Sequence, residues 1–175
     1  MSEISEIYRA IAAYATAYGR LQGLQRRKGP IPPGDQKTGC IGEFYAYLYL
    51  QAKYPEAILS YGQHSEKGWD ITVVSPEPER TWRVQVKTVS EYARTRSISP
   101  IHCGWDELFV ILLGKDLTPK GFWRIADNAI VAKGEVLKGC KCRRPGVRSS
   151  GSKIIAWDDD LIEEFRRLVL PQLSG

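Results

Sequence analysis

The chain is 175 residues long, 43% hydrophobic and 26% charged, the balance of one globular domain with enough length to bury a real core. No stretch approaches the roughly 20 apolar residues that span a bilayer, and the polar start is unlike a signal peptide, so a cytoplasmic protein with no membrane partner is expected. The net charge of +5 suits a nucleic-acid partner, although many housekeeping domains are as basic.

Residues 2–23 carry Ile4, Ile7, Ile11, Tyr14, Tyr18 and Leu21 at spacings of three and four, which predicts an amphipathic helix. Ser2 or Ser5 can cap it, and Glu3 and Glu6 sit near its positive end. The proline- and glycine-rich run that follows cannot hold helix or ladder, so residues 1–28 read as a helical arm and 29–37 as a linker. The arm either packs on the domain or mediates a homodimer. The main domain then covers 38–175.

A second helix is predicted over about 37–53, with Ile41, Phe44, Tyr45 and Leu48 as its apolar stripe and Glu43 on a different face. Short strands follow at 57–61 and 69–74, with a turn over 62–68 between them and the proline-containing turn 75–80 after them. Residues 81–89 alternate with period two. Gln85 and Lys87 therefore share one face about 7 Å apart, while Trp82, Val84 and Val86 take the other. An antiparallel pair would bring Asp70, Gln85 and Lys87 together at a strand end.

Residues 91–106 read as irregular. The apolar run 108–113 has the pattern of a strand buried on both faces. Residues 121–125 predict another strand, 128–137 a short helix, and 153–157 a final strand. The last helix is begun by Asp158, Asp159 and Asp160, read as an N-cap cluster, and carries Leu161, Phe165, Leu168 and Val169. The four cysteines lack zinc-finger spacing and read as free thiols.

From residue 133 to 153, seven cations stand against Glu135 alone, a local +6 that exceeds the +5 of the whole chain. Within that stretch Lys141, Arg143, Arg144, Arg148 and Lys153 form a phosphate-binding candidate, joined by Arg94 and Arg96. The other reading is a solvated loop balanced by the three aspartates. No helix-turn-helix, zinc finger or other sequence-reading module is visible.

Gly42-Glu43 on a helix, Gly68-Trp69-Asp70, Gln85-Val86-Lys87, the buried strand and Phe122-Trp123-Arg124-Ile125 occur in one order. Over roughly residues 38–125 this order resembles the PD-(D/E)XK nuclease superfamily, and most of all its small standalone endonuclease-like domains. The resemblance implies an α/β fold, a restriction-endonuclease-like core with a central mixed β-sheet flanked by helices. It further implies a metal-dependent endonuclease acting on DNA, with Mg2+ or Mn2+ as cofactor.

Carried onto this chain, Asp70 becomes the central metal ligand. Gln85 and the Val86 carbonyl complete the protein shell, and Glu43 holds a second metal or a metal-bound water. Lys87 orients the attacking water. Trp69 stands where the family has proline, and Gln85 where it has a second acid. A neutral amide oxygen binds magnesium more weakly than a carboxylate, so a weak or inactive nucleic-acid-binding domain is the alternative. His64 is a further candidate for phosphate contact, against the simpler reading of an exposed loop histidine.

Overall fold

A computed structural model describes residues 3–26, 37–62, 68–76, 79–93, 96–126, 128, 131, 133–138, 140, 147–148, 154–155 and 159–173. The linker at 29–36 lies outside the described residues, as do Ser2 and Cys142. The helices are α1 (Glu3–Arg26), α2 (Thr38–Lys53) and α3 (Ile162–Leu173). The strands are β1 (Ile58–Tyr61), β2 (Ile71–Ser75), β3 (Arg80–Ser90), β4 (Ile101–His102), β5 (Glu107–Leu113), β6 (Pro119–Ile125), β7 (Val136–Leu137), β8 (Val147–Arg148), β9 (Ile154–Ile155) and β10 (Asp159–Asp160).

Six strands form one mixed sheet in the order β1-β2-β3-β5-β6-β10. β3 and β5 run parallel, and the other neighbours are antiparallel. Every residue of β5 is buried, as its unbroken apolar run requires of a strand covered on both faces. Alternation sends Phe109, Ile111 and Leu113 into one core and Leu108, Val110 and Leu112 into a second core on the opposite face. The first core also takes Ile11 and Ala15 of α1, Tyr45, Ala46 and Tyr49 of α2, and Phe165 and Val169 of α3, so all three helices cover one face. The second core is closed by Ile101 of β4 and by Ile98, Trp105, Val131 and Cys140 from the segments between strands.

α1 therefore packs on the domain through part of its predicted stripe, with Tyr18 edge-on to Tyr92, whereas Ile7 stays exposed. Among the described residues no helix is long and apolar enough to cross a membrane.

Three local expectations change. The helix expected over 128–137 does not run its length: among the described residues Asn128 lies in a 3-10 turn, Gly134 adopts φ 82, a left-handed conformation that ends a right-handed helix, and Val136–Leu137 forms strand β7. Residues 91–106 are less irregular than expected, since Ile101–His102 pairs with β7. The aspartates do more than cap α3. Asp159 and Asp160 pair with β6 as a sheet strand, and only then does Asp160 Oδ1 accept the Ile162 N–H at 3.1 Å. Asp159 instead accepts from Arg124 Nε at 2.9 Å, and Arg124 also reaches Glu107 at 3.2 Å, tying β10, β6 and β5 together.

Candidate active site

The site lies at the start of β2, where it meets β3. β2 pairs with β3 from Ser75↔Arg80 to Ile71↔Val84, and the Asp70 N–H still donates to the Val84 carbonyl at 2.9 Å. One step further along β3, the Val86 N–H has no strand partner on that side. It donates to Asp70 Oδ2 at 2.6 Å instead. The carboxylate thus replaces a ladder acceptor at the point where the two strands part. In a strand the N–H and C=O of one residue face the same way, so the Val86 carbonyl opens into the same fork.

Ile71 and Val73 belong to the helix-side core, while Asp70, in the bend just ahead of β2, turns its carboxylate to the Val86 N–H. Trp82, Val84 and Val86 likewise face the helices, leaving Arg83, Gln85 and Lys87 in a row on the other side. Gln85 is 1% exposed, and its Nε2 donates to the Gly68 carbonyl at 2.8 Å. That bond fixes which end of the amide is nitrogen and turns the buried Oε1 away from Gly68.

Glu43 arrives from the helix layer. Its neighbour Gly42 is buried against β3, where an added Cβ would run into the Thr88 side chain. The missing side chain lets α2 approach β3 closely and brings Glu43 within electrostatic reach of β3. There it shares its field with Lys87 and with Tyr61 of β1.

The electrostatics follow from partial burial. Burial raises the Asp70 carboxyl above its ordinary value, while the Val86 N–H and the Lys87 ammonium pull it back. Burial lowers the Lys87 ammonium, while Asp70 and Glu43 oppose that shift. The Tyr61 phenol is pushed up to about 12 by burial and by its neighbours Tyr47, Glu43 and Cys40. Each charged group is partly stripped of water and depends on the others.

The oxygens that would hold a cation here are the Asp70 carboxylate, the buried Gln85 amide oxygen and the Val86 carbonyl, with the Glu43 carboxylate within electrostatic reach of Lys87. This hard, sparse, all-oxygen set fits magnesium or manganese, which keep several waters. Among the described residues no group of three or more His, Cys, Asp or Glu side chains could hold a metal ion, so any such cation depends on the amide and the backbone. Cys40, Cys103 and Cys140 are free thiols.

Of the expected phosphate contacts, Arg96 is exposed at φ 48, beyond the end of β3. His64, Arg94, Lys141, Arg143, Arg144 and Lys153 lie outside the described residues, and only the backbone of Arg148 is described, in β8. Three contributors escaped the sequence reading. The Gly68 carbonyl orients Gln85, Thr88 receives Gly42, and Tyr61 stacks on Tyr47 at 4.9 Å beside Glu43. None of these roles carries a sequence signal, because each acts through a contact between distant segments.

No protein-family model matches the chain, and no curated protein sequence matches it. Among solved structures, a bacterial homing endonuclease, I-Ssp6803I, aligns over 82% of this chain and 100% of its own, at 15% identity and a TM-score of 0.40. A likeness that distant assigns no function.

Proposed function

We propose that the chain is a magnesium- or manganese-dependent endonuclease of the PD-(D/E)XK type that hydrolyses DNA phosphodiesters. The observation that carries this reading is the fork itself. The Asp70 carboxylate is held by the Val86 N–H at 2.6 Å beside the partly buried ammonium of Lys87, with Glu43 in the same field. An aspartate and a lysine with only a structural role would have little reason to share a half-buried position, since each loses hydration there.

Asp70, the Gln85 oxygen and the Val86 carbonyl would hold the cation, with Glu43 holding a second cation or a bound water. When bound, the cation supplies positive charge against the phosphate oxygens. Lys87 holds the attacking water and takes part of its proton as the oxygen–phosphorus bond forms and the bridging phosphorus–oxygen bond breaks. Its lowered pKa increases the share of neutral amine that can take the proton, and the ammonium so formed opposes the charge building on the phosphate. The bridging oxygen leaves with a proton from solvent.

The test is nicking of supercoiled plasmid with Mg2+ or Mn2+, set against Asp70→Ala and Lys87→Ala. Cleavage that needs the metal and disappears in both variants supports the reading. A folded protein that cuts no duplex, branched or single-stranded DNA refutes it. One observation favours a second reading, a binding domain without catalysis: the second acid is a neutral Gln85 whose amide nitrogen is tied to Gly68. That reading predicts salt-sensitive DNA binding indifferent to divalent metal.

A further inference from the structure

On the face of β3 that carries Gln85 and Lys87, the next two outward positions are Arg83 and Thr81. They form one wall of a groove of about 760 Å³, completed by Gly104, Trp105, Asn128 and Lys133. Along β3 the groove lies about 13 Å from Lys87, four residues at about 3.3 Å each.

The groove joins the fork through the Gly68-Trp69 segment. Gly68 accepts from Gln85 on one side and packs on Cys103 and Gly104 on the other, where an added Cβ would meet the Cys103 carbonyl at 2.7 Å. Trp69, which stands at the family's proline position, lies under the Arg83 guanidinium, 4.1 Å from ring centroid to charge centre. Stacking holds the flat cation at a fixed tilt and leaves its N–H edges available.

The charge balance in the groove is positive. Arg83 and Lys133 are both exposed, and no ion pair among the described residues involves either. The one carboxylate lining it, Asp106, accepts the Arg83 backbone N–H at 2.8 Å. Two cations with no acidic partner among the described residues, one of them stacked on an indole ring, suit an anion, and a planar guanidinium matches the paired oxygens of a phosphate.

We infer that this groove, through Arg83 braced on Trp69 and through Lys133, grips the DNA backbone at phosphates flanking the one cleaved at the fork. The inference rests on the nuclease reading and assigns it a substrate contact separate from the basic loop. At about 3.4 Å of axis per phosphate on one strand, the groove sits about four phosphates from the fork. Trp69 thereby gains a role at its position. It orients Arg83 for substrate instead of shaping the metal shell.

Arg83→Gln and Lys133→Gln in the full chain test this, with binding to a short DNA duplex measured in EDTA across a range of salt concentrations. Each variant should bind about tenfold more weakly at low salt, and the slope of log affinity against log salt should fall by about 0.9 for each phosphate no longer neutralised. Replacing duplex phosphates one at a time by neutral methylphosphonates should weaken wild type at positions on one side of the cleaved bond. The same replacements should leave Arg83→Gln indifferent at its own position. Lys133→Gln guards against a packing effect of removing the Trp69 stack.

If both variants keep wild-type affinity and slope while plasmid nicking persists, the groove assignment is wrong and the nuclease reading stands. If folded wild type neither binds nor cuts DNA, both fall together.

Discussion

Gln85→Glu restores the acid that the resemblance leads one to expect, and the structure shows what it would cost without metal. Gln85 is buried, and its Nε2 donates to the Gly68 carbonyl at 2.8 Å. A glutamate there loses that donor and faces a carbonyl with a second anion beside Asp70. Losing a buried hydrogen bond and placing an uncompensated charge costs about 2–3 kcal/mol. For a chain of this size that lowers the Tm by about 4–12 °C in EDTA at pH 7.

The deficit should shrink in acid, because a protonated glutamate can donate to Gly68 again. Such a group has a folded-state pKa above its unfolded one. Its stabilising contribution is complete below about pH 4.3 and disappears as pH rises through the folded value. Divalent metal should reverse the order. The added charge tightens binding, and at a hundred times the Kd the ligand returns about 2.7 kcal/mol. The assay is thermal unfolding of both proteins with EDTA and with Mn2+, at acid and neutral pH. A Gln85→Glu protein as stable as wild type in EDTA, or one that gains no more from Mn2+, would refute the donor assignment at Gly68 and with it the metal site.

Lys87→Ala should lower plasmid cleavage by about 10²–10⁴-fold while duplex binding in EDTA stays within a few-fold of wild type, separating chemistry from grip. Mn2+ affinity should climb about tenfold per pH unit until Asp70 ionises. Burial holds that carboxyl above the ordinary 3.8, so the plateau should come later than for a solvated aspartate. For the same reason Asp70 contributes stability to the metal-free protein below its unfolded pKa and loses it as pH rises through the folded value. The Tm gain on adding Mn2+ should therefore grow with pH, and a gain independent of pH would contradict this. Gly42→Ala forces its methyl onto Thr88 and should cost about 1–3 kcal/mol in denaturant unfolding, with Thr88→Ala recovering much of the loss. Additive single and double variants would show that the two positions do not touch.

Much of this architecture was legible in the order of residues. The apolar run at 108–113 is a strand buried throughout, and the alternation at 81–89 sends Trp82, Val84 and Val86 inward and Gln85 and Lys87 to the other face. These are one-dimensional periodicities, and burial imposes them on any chain that folds this way. The misread segments are those where a neighbour overrides local preference. Asp160 does cap α3, yet its backbone and that of Asp159 pair with β6, and Arg124 claims the Asp159 side chain. The helix expected over 128–137 does not run its length, because Gly134 turns left-handed and Val136–Leu137 finds a partner in Ile101–His102.

By itself the sequence determined which residue types stand on which strand and face, including the row of Gln85 and Lys87 and the order that places Glu43 and Asp70 before them. Only the tertiary structure decided that these residues meet. It parts β2 from β3 just before Val86, so that a carboxylate takes the place of a ladder acceptor. It also brings α2 close to β3 at Gly42, where no side chain intervenes, so that Glu43 can approach. The Gln85 amide is oriented by the carbonyl of Gly68, far from it along the chain. Periodicity is a property of the chain and can be read along it. Partial desolvation, the amide orientation and the shared field of Glu43, Asp70 and Lys87 exist only between segments that folding has brought together.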